Sequence, residues 1–151
     1  MFFLYFIGID ISKYKHDCFI TTETGEVIVE NFSFQNTNEG LNQLLDLLKS
    51  LDCSKQFRIG FEATGHYGMN LKLFLEKNDY SFMEFNPNMV KQFIKSQTLR
   101  KTKTDKKDAT WITKYLISVD YKPLPKQFYH KFALKSLSRK RDKLVFQRSY
   151  Y

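Results

Sequence analysis

The chain has 151 residues, 42% hydrophobic and 26% charged, which suits one folded domain with a real core and excludes a disordered or fibrous polypeptide. Its formal charge of +8 is unevenly spread: residues 1–90 carry 7 Lys/Arg against 12 Asp/Glu, while residues 91–151 carry 17 against 4, so the C-terminal part suits a polyanionic partner. Cys18 and Cys53 lack metal-binding spacing and read as reduced thiols of a cytoplasmic protein, and the apolar start "MFFLYFIGID" lacks a leader's basic segment and stops at Asp10, far short of the ~20 residues of a membrane span.

"FFLYFIGIDIS" is a near-continuous apolar, β-rich run, as expected of a central strand covered on both faces. "HDCFITTE" (16–23) predicts a second strand. Thr24 and Gly25 make a turn, and "EVIVENFSFQ" (26–35) alternates as a third, completing an antiparallel meander. Thr37 or Asn38 caps the next helix, whose apolar face is Leu41, Leu44, Leu45, Leu48 and Leu51. "QFRIGFEATG" (56–65) predicts a fourth strand ending near Glu62, followed by a helix over 68–78 with Leu71, Phe74 and Leu75 inward. "YSFMEF" (80–85) is a fifth strand, and 86–97 a helix with Pro87 at an early position, where its missing N–H costs little.

"RKTKTDKKDA" (100–109) is a basic loop leading into a helix from about Thr104 to Ser118, packed through Ala109, Trp111, Ile112 and Leu116. Two prolines in "YKPLPKQ" (121–127) break the chain. A last helix begins near Tyr129, carries "SRKRDK" (138–143) and reaches the end without a stop signal, so the chain reads as cut off rather than finished.

The order β-β-β-α-β-α-β-α is that of the ribonuclease H-like α/β fold: a five-stranded mixed sheet of order 3-2-1-4-5 with helices on both faces, here with a C-terminal helical extension. This order sets strands 1 and 4 side by side, so Asp10 approaches Glu62. Asp105 and Asp108, at i and i+3, share one helix face. Each acid alone has an ordinary explanation: a hydrogen-bonded strand Asp, a solvent-facing strand end, two acids favoured by a helix N-terminus. Together the four fit a site for a hard cation, because Mg²⁺ takes a few carboxylates from different elements and keeps several waters. A pair of such ions supports phosphodiester chemistry. Arg100, Lys101, Lys103, Lys106 and Lys107, and further on Arg139, Lys140 and Arg141, are the candidates for phosphate contact. His66, after "EATG", reads as a surface histidine.

Three stretches carry a more specific resemblance. "FIGIDISK", "GFEATGHYG" and "RKTKTDKKDA", in that order over roughly residues 5–118, resemble the N-terminal signatures of the DEDD-type insertion-sequence transposases, a family that includes the Piv-type DNA invertases. The resemblance implies a RuvC-like catalytic domain over 1–120, with Asp10, Glu62, Asp105 and Asp108 as the metal-binding D, E, D and D, served by Mg²⁺ with Mn²⁺ as a substitute. It implies DNA as substrate, a structured guide RNA in some members, and homo-oligomers formed through the C-terminal helix. Residues 121–151 resemble the start of the family's helical, coiled-coil linker. The family's second domain, which bears a serine proposed as nucleophile, is absent from this sequence.

Three other readings compete. A stand-alone RuvC-like endonuclease shares fold and acids but needs no second domain. A non-catalytic nucleic-acid-binding module would use the acids structurally. A sugar-kinase or actin-like ATPase lobe shares "IGIDIS", but it needs a small-residue turn where Lys13, Tyr14 and Lys15 stand.

Overall fold

The computed structural model describes residues 4–52, 54–97 and 108–124, with Asp108 described through its backbone only. The predicted helix start at 104–107, the basic loop and the final helix fall outside these residues. Strands β1 (Leu4–Ile11), β2 (Lys15–Thr22) and β3 (Val27–Gln35) form the antiparallel meander, and β4 (Gln56–Glu62) and β5 (Phe82–Phe85) join it in parallel. The sheet order is β3-β2-β1-β4-β5, the 3-2-1-4-5 order anticipated above. Helices α1 (Asn38–Ser50), α2 (Met69–Lys77), α3 (Pro87–Gln97) and α4 (Asp108–Ser118) complete the described fold.

Strand periodicity assigns the two faces of the sheet. Tyr5, Ile7, Ile9 and Ile11 of β1 join a core with Leu41, Leu44 and Leu48 of α1 and Leu71 and Leu75 of α2. Phe6 turns the other way, into a second core with Phe85, Val90 of α3, and Ile112 and Leu116 of α4. A strand buried on both faces explains the unbroken apolar run in β1. Each fully buried Leu or Ile contributes about 1.5–3 kcal/mol of transfer free energy. β3 is an edge strand, as β5 is at the other side, and it is largely exposed, Val27 and Ile28 included.

Local signals behave as expected of their chemistry. Thr37 is the cap of α1, its hydroxyl accepting from the Gly40 N–H at 3.1 Å. Pro87 occupies the first position of α3. Leu45 and Phe74, both expected in the core, are half-buried, the latter packed against the first cluster. β5 begins two residues later than "YSFMEF" suggests, at Phe82. The reason is a Schellman turn closing α2, in which the Tyr80 N–H donates to Leu75 O at 2.8 Å and the Asp79 N–H to Glu76 O at 3.1 Å. Asp79 takes the left-handed conformation (φ 62°) that this turn requires.

α4 lies directly on a pair of glycines. Gly8 and Gly60 are cross-strand partners on β1 and β4. A methyl group at Gly8 would stand 2.1 Å from Thr113 Oγ1, 2.6 Å from Thr113 N and 2.9 Å from Ala109 O, while one at Gly60 would meet the Phe85 ring and Leu116. The Thr113 hydroxyl donates to Ala109 O at 2.7 Å and reaches Phe19 O on β2 at 3.3 Å, tying the helix to the sheet above Gly8. Because two of the three atoms facing Gly8 are backbone, they cannot swing aside. Gly8→Ala is therefore expected to destabilise the fold by at least the ~1–3 kcal/mol typical of overpacking, read as a lowered urea midpoint at unchanged slope.

Candidate active site

Ile9 of β1 pairs with Phe61 of β4, and Asp10 and Glu62 are the next residues on these parallel strands. Neighbouring strands lie about 4.8 Å apart, so the two backbones deliver adjacent carboxylates at the strands' C-terminal ends. Both acids follow the face of Gly8 and Gly60, the face that α4 covers. Both are half-buried rather than fully buried, because each stands where its strand leaves the core.

The course of α4 brings a third predicted residue to the same end. Leu116 lies beside Gly60, and the Tyr121 ring that follows the helix lies 5.4 Å from the guanidinium of Arg58, near the start of β4. The helix thus runs back along the sheet against β4, with its N-terminal residue Asp108 toward the end that holds Asp10 and Glu62. Asp105 lies outside the described residues, as do Arg100, Lys101, Lys103, Lys106, Lys107, Arg139, Lys140 and Arg141. Among the described residues no three His, Cys, Asp or Glu side chains group as metal ligands; of the four predicted acids, only Asp10 and Glu62 have described side chains.

Two features beside these acids escaped sequence reasoning. Asp17 of β2 is the cross-strand partner of Asp10, which makes Asp17, Asp10 and Glu62 one row across three strands. Like charges directly opposite are unfavourable in a sheet. The carboxylate of Asp17 is held by the Ser33 hydroxyl of β3, which donates to its Oδ1. Counting back across the short turn between strands 1 and 2 would have placed position 17 opposite position 10. The second feature is Asn36. Its Nδ2 donates to Lys13 O at 3.2 Å and to Tyr67 O at 3.3 Å, its own N–H donates to Tyr14 O at 2.8 Å, and its Oδ1 accepts from Asn70 Nδ2 at 3.3 Å. One side chain so ties the turn after Asp10 to the turn after Glu62. No spacing signal marks such a residue in the sequence.

The turn after Glu62 begins with the Ala63 N–H donating to Phe85 O at 2.9 Å, then passes through Gly65 (φ 61°) into a single 3-10 turn, Gly65–Gly68. His66 is exposed on this turn, its ring 4.5 Å from that of Tyr67, as a surface histidine would be. Beneath it Lys72 of α2, which is nearly buried, pairs with Glu84 of β5. The turn after Asp10 is fixed from within by His16, which is fully buried; its Nδ1 accepts from the Ser12 N–H at 3.3 Å and its ring sits edge-on to Phe34 at 5.3 Å. Cys18, two residues on, is a buried free thiol pushed up to about 12, chiefly by burial and then by the charge of Asp17, so it stays protonated and inert.

Known proteins place the arrangement. The T. thermophilus RuvC protein, solved in complex with a Holliday junction substrate, superposes with a TM-score of 0.51 at 10% identity, over 82% of this chain and 100% of that one. The fold is RuvC-like, a member of the ribonuclease H-like class. The profile of the IS110-type DEDD transposases, described as "Transposase", matches residues 7–150. The chain belongs to that family. A comparison with curated proteins finds no match. No helix among the described residues is long and apolar enough to cross a membrane.

The buried imidazole makes the hairpin acid-sensitive. Burial holds His16 below its ordinary value of 6.5, outweighing hydrogen bonds that the charged ring would donate to Asn36 and to the Lys15 backbone, and the charge of Asp17, all of which favour its protonation. The unfolded chain therefore takes up this proton first as pH falls. Stability is expected to be full above about pH 6.5 and to decline below it, and His16→Gln should flatten that decline in denaturation midpoints measured between pH 7.5 and 5.

Proposed function

We propose that this chain is the N-terminal catalytic domain of a DNA transposase or recombinase, cleaving and transferring phosphodiester strands with a divalent metal. The observation that carries the reading is the placement of Asp10 and Glu62 at adjacent ends of two parallel central strands, with the N-terminus of α4 directed to the same end. Family membership makes DNA the favoured substrate.

The donor chemistry fits Mg²⁺ or Mn²⁺. Two half-buried carboxylates on a rigid sheet supply hard oxygen ligands while leaving room for water, and the nearby His16 ring and Cys18 thiol are buried on the opposite face, the face of Ile9 and Ile11. Asp10, Glu62, Asp105 and Asp108 would hold the ions. When bound, such ions activate a nucleophile and stabilise a leaving oxygen. The chain's own part is geometric: β1 and β4 fix two ligands in register, Asn36 braces the turns behind them, and α4 begins at Asp108, with Asp105 three residues earlier in the sequence. Arg100, Lys101, Lys103, Lys106 and Lys107 would hold the phosphate backbone beside these acids, and Arg139, Lys140 and Arg141 would do so on the linker.

Residues 1–120 are the domain on this reading and 121–151 the start of a linker through which copies associate; a guide RNA and a serine-bearing second domain would complete strand exchange. A chain that cleaved branched DNA efficiently by itself would instead be a self-sufficient structure-specific nuclease.

The reading has a direct thermodynamic test. Calorimetric titration with Mn²⁺ is expected to show binding at millimolar ion or tighter, weakened at least tenfold by Glu62→Gln and by Asp105→Ala. DNA cleavage in Mg²⁺ by the complete protein should fall about a hundredfold or more with either change, beyond what loss of an outer-sphere partner costs. Full cleavage by Asp10→Ala would make the acids structural.

A further inference from the structure

The end of the sheet opposite the acids carries a second feature that the proposed chemistry does not use. β4 starts before β5: Gln56, Phe57 and Arg58 pair with Leu4, Tyr5 and Phe6 of β1, but the first partner of β5 is Phe82, opposite Ile59. The uncovered start of β4, the last turn of α1, the Schellman turn before β5 and the segment after α4 enclose an open cleft of about 520 Å³. This volume is within the range that holds a nucleotide-sized ligand.

Its lining combines rings and cations. Phe57 and Tyr80 stack nearly parallel, at 6.0 Å and 11°. Arg58 lies 5.4 Å from the Tyr121 ring and 5.7 Å from that of Phe6, and Lys55 lies 4.8 Å above Tyr5. Lys49 adds a third cation and Asp79 the single acid. The Tyr121 hydroxyl is buried and makes no hydrogen bond of ordinary geometry. Ring faces beside basic groups are what single-stranded nucleic acid requires, since bases stack on aromatic faces whatever their identity and phosphates seek the cations. A solvated surface patch needs neither stacked rings nor a concave shape. A duplex, whose bases are stacked on each other, gains nothing from either.

We infer that this cleft binds a segment of single-stranded nucleic acid, with a base against the Phe57–Tyr80–Tyr121 rings and the adjoining phosphates on Lys49, Lys55 and Arg58. The inference rests on the reading of the chain as a nucleic-acid-processing domain and adds a site on the far end of its sheet. Gln56 and Glu62 are six residue steps apart, so the cleft and the acids lie about 20 Å from each other at opposite ends of β4. The cleft would therefore hold a displaced or guide strand at a fixed reach from the reacting one.

Fluorescence anisotropy on the whole chain tests this with three probes: labelled oligothymidylate, oligouridylate and a duplex of equal length. Lys49→Ala/Lys55→Ala is expected to weaken both single strands at least tenfold and the duplex less than twofold. Asp79→Asn, which removes the acid while an asparagine still tolerates the left-handed turn, is expected to tighten them two- to fivefold. Lys91→Ala/Lys95→Ala on exposed α3 removes the same charge elsewhere and should change single-strand binding less than twofold. Equal losses in the two double variants, or none in the first, overturn the cleft while leaving the domain's function intact. Failure of the unaltered chain to bind any of the three probes overturns both. A stronger response to uridylate than thymidylate assigns the strand as RNA, and the reverse as DNA. Unchanged circular dichroism of each variant excludes misfolding as the cause.

Discussion

The contact of α4 with the backbone of β1 is the constraint from which the rest follows. A helix normally rides above a sheet on the side chains between them, but here the Gly8–Gly60 pair removes those side chains and lets Thr113 and Ala109 descend onto the strand. That descent fixes the course of the helix, whose first residue is Asp108, one of the proposed acids. Packing and chemistry are thus joined through two missing side chains. The Thr113 hydroxyl completes the bond by satisfying its own hydrogen-bonding need inside the interface, without which a polar group buried there would be a cost.

The strands and their order were legible because burial imposes a period that composition shows. The unbroken apolar run of β1 and the alternation in "EVIVENFSFQ" each have one good explanation. The leucines at helical spacing in α1 likewise left little choice, though Leu45 and Phe74 sit at the margins of their faces and end half-buried. Asp10 and Glu62 could be paired on paper once the strand order was set. The row that adds Asp17, and the brace supplied by Asn36, depend on how tightly the turn at Ser12–Lys15 closes. No residue type dictates that detail, so sequence reasoning passed over both. The cleft at the other end was invisible for a different reason: its residues come from four separated segments, each ordinary by itself.

The two ends of the sheet make different demands on the fold. At the C-terminal ends of β1 and β4, polar groups are gathered and kept half-wet, with backbone and amide hydrogen bonds holding the turns in place. At the start of β4, the sheet ends before its neighbour begins, and aromatic rings cap what would otherwise be an exposed strand edge.

The exposed edge strand β3 has a consequence for how such a molecule arrives. From His16 through Leu48, the stretch holding β2 after its first residue, all of β3 and most of α1, the chain has Asp17, Glu23, Glu26, Glu30, Glu39 and Asp46 and not one Lys or Arg. This flank repels a polyanion over a Debye length of about 8 Å at physiological salt. The same charges guard an open strand edge against pairing with a second copy. On the proposed function, a nucleic acid diffusing toward the domain would be turned away from β3, so the sheet's charge gradient would set the direction of encounter before any specific contact forms.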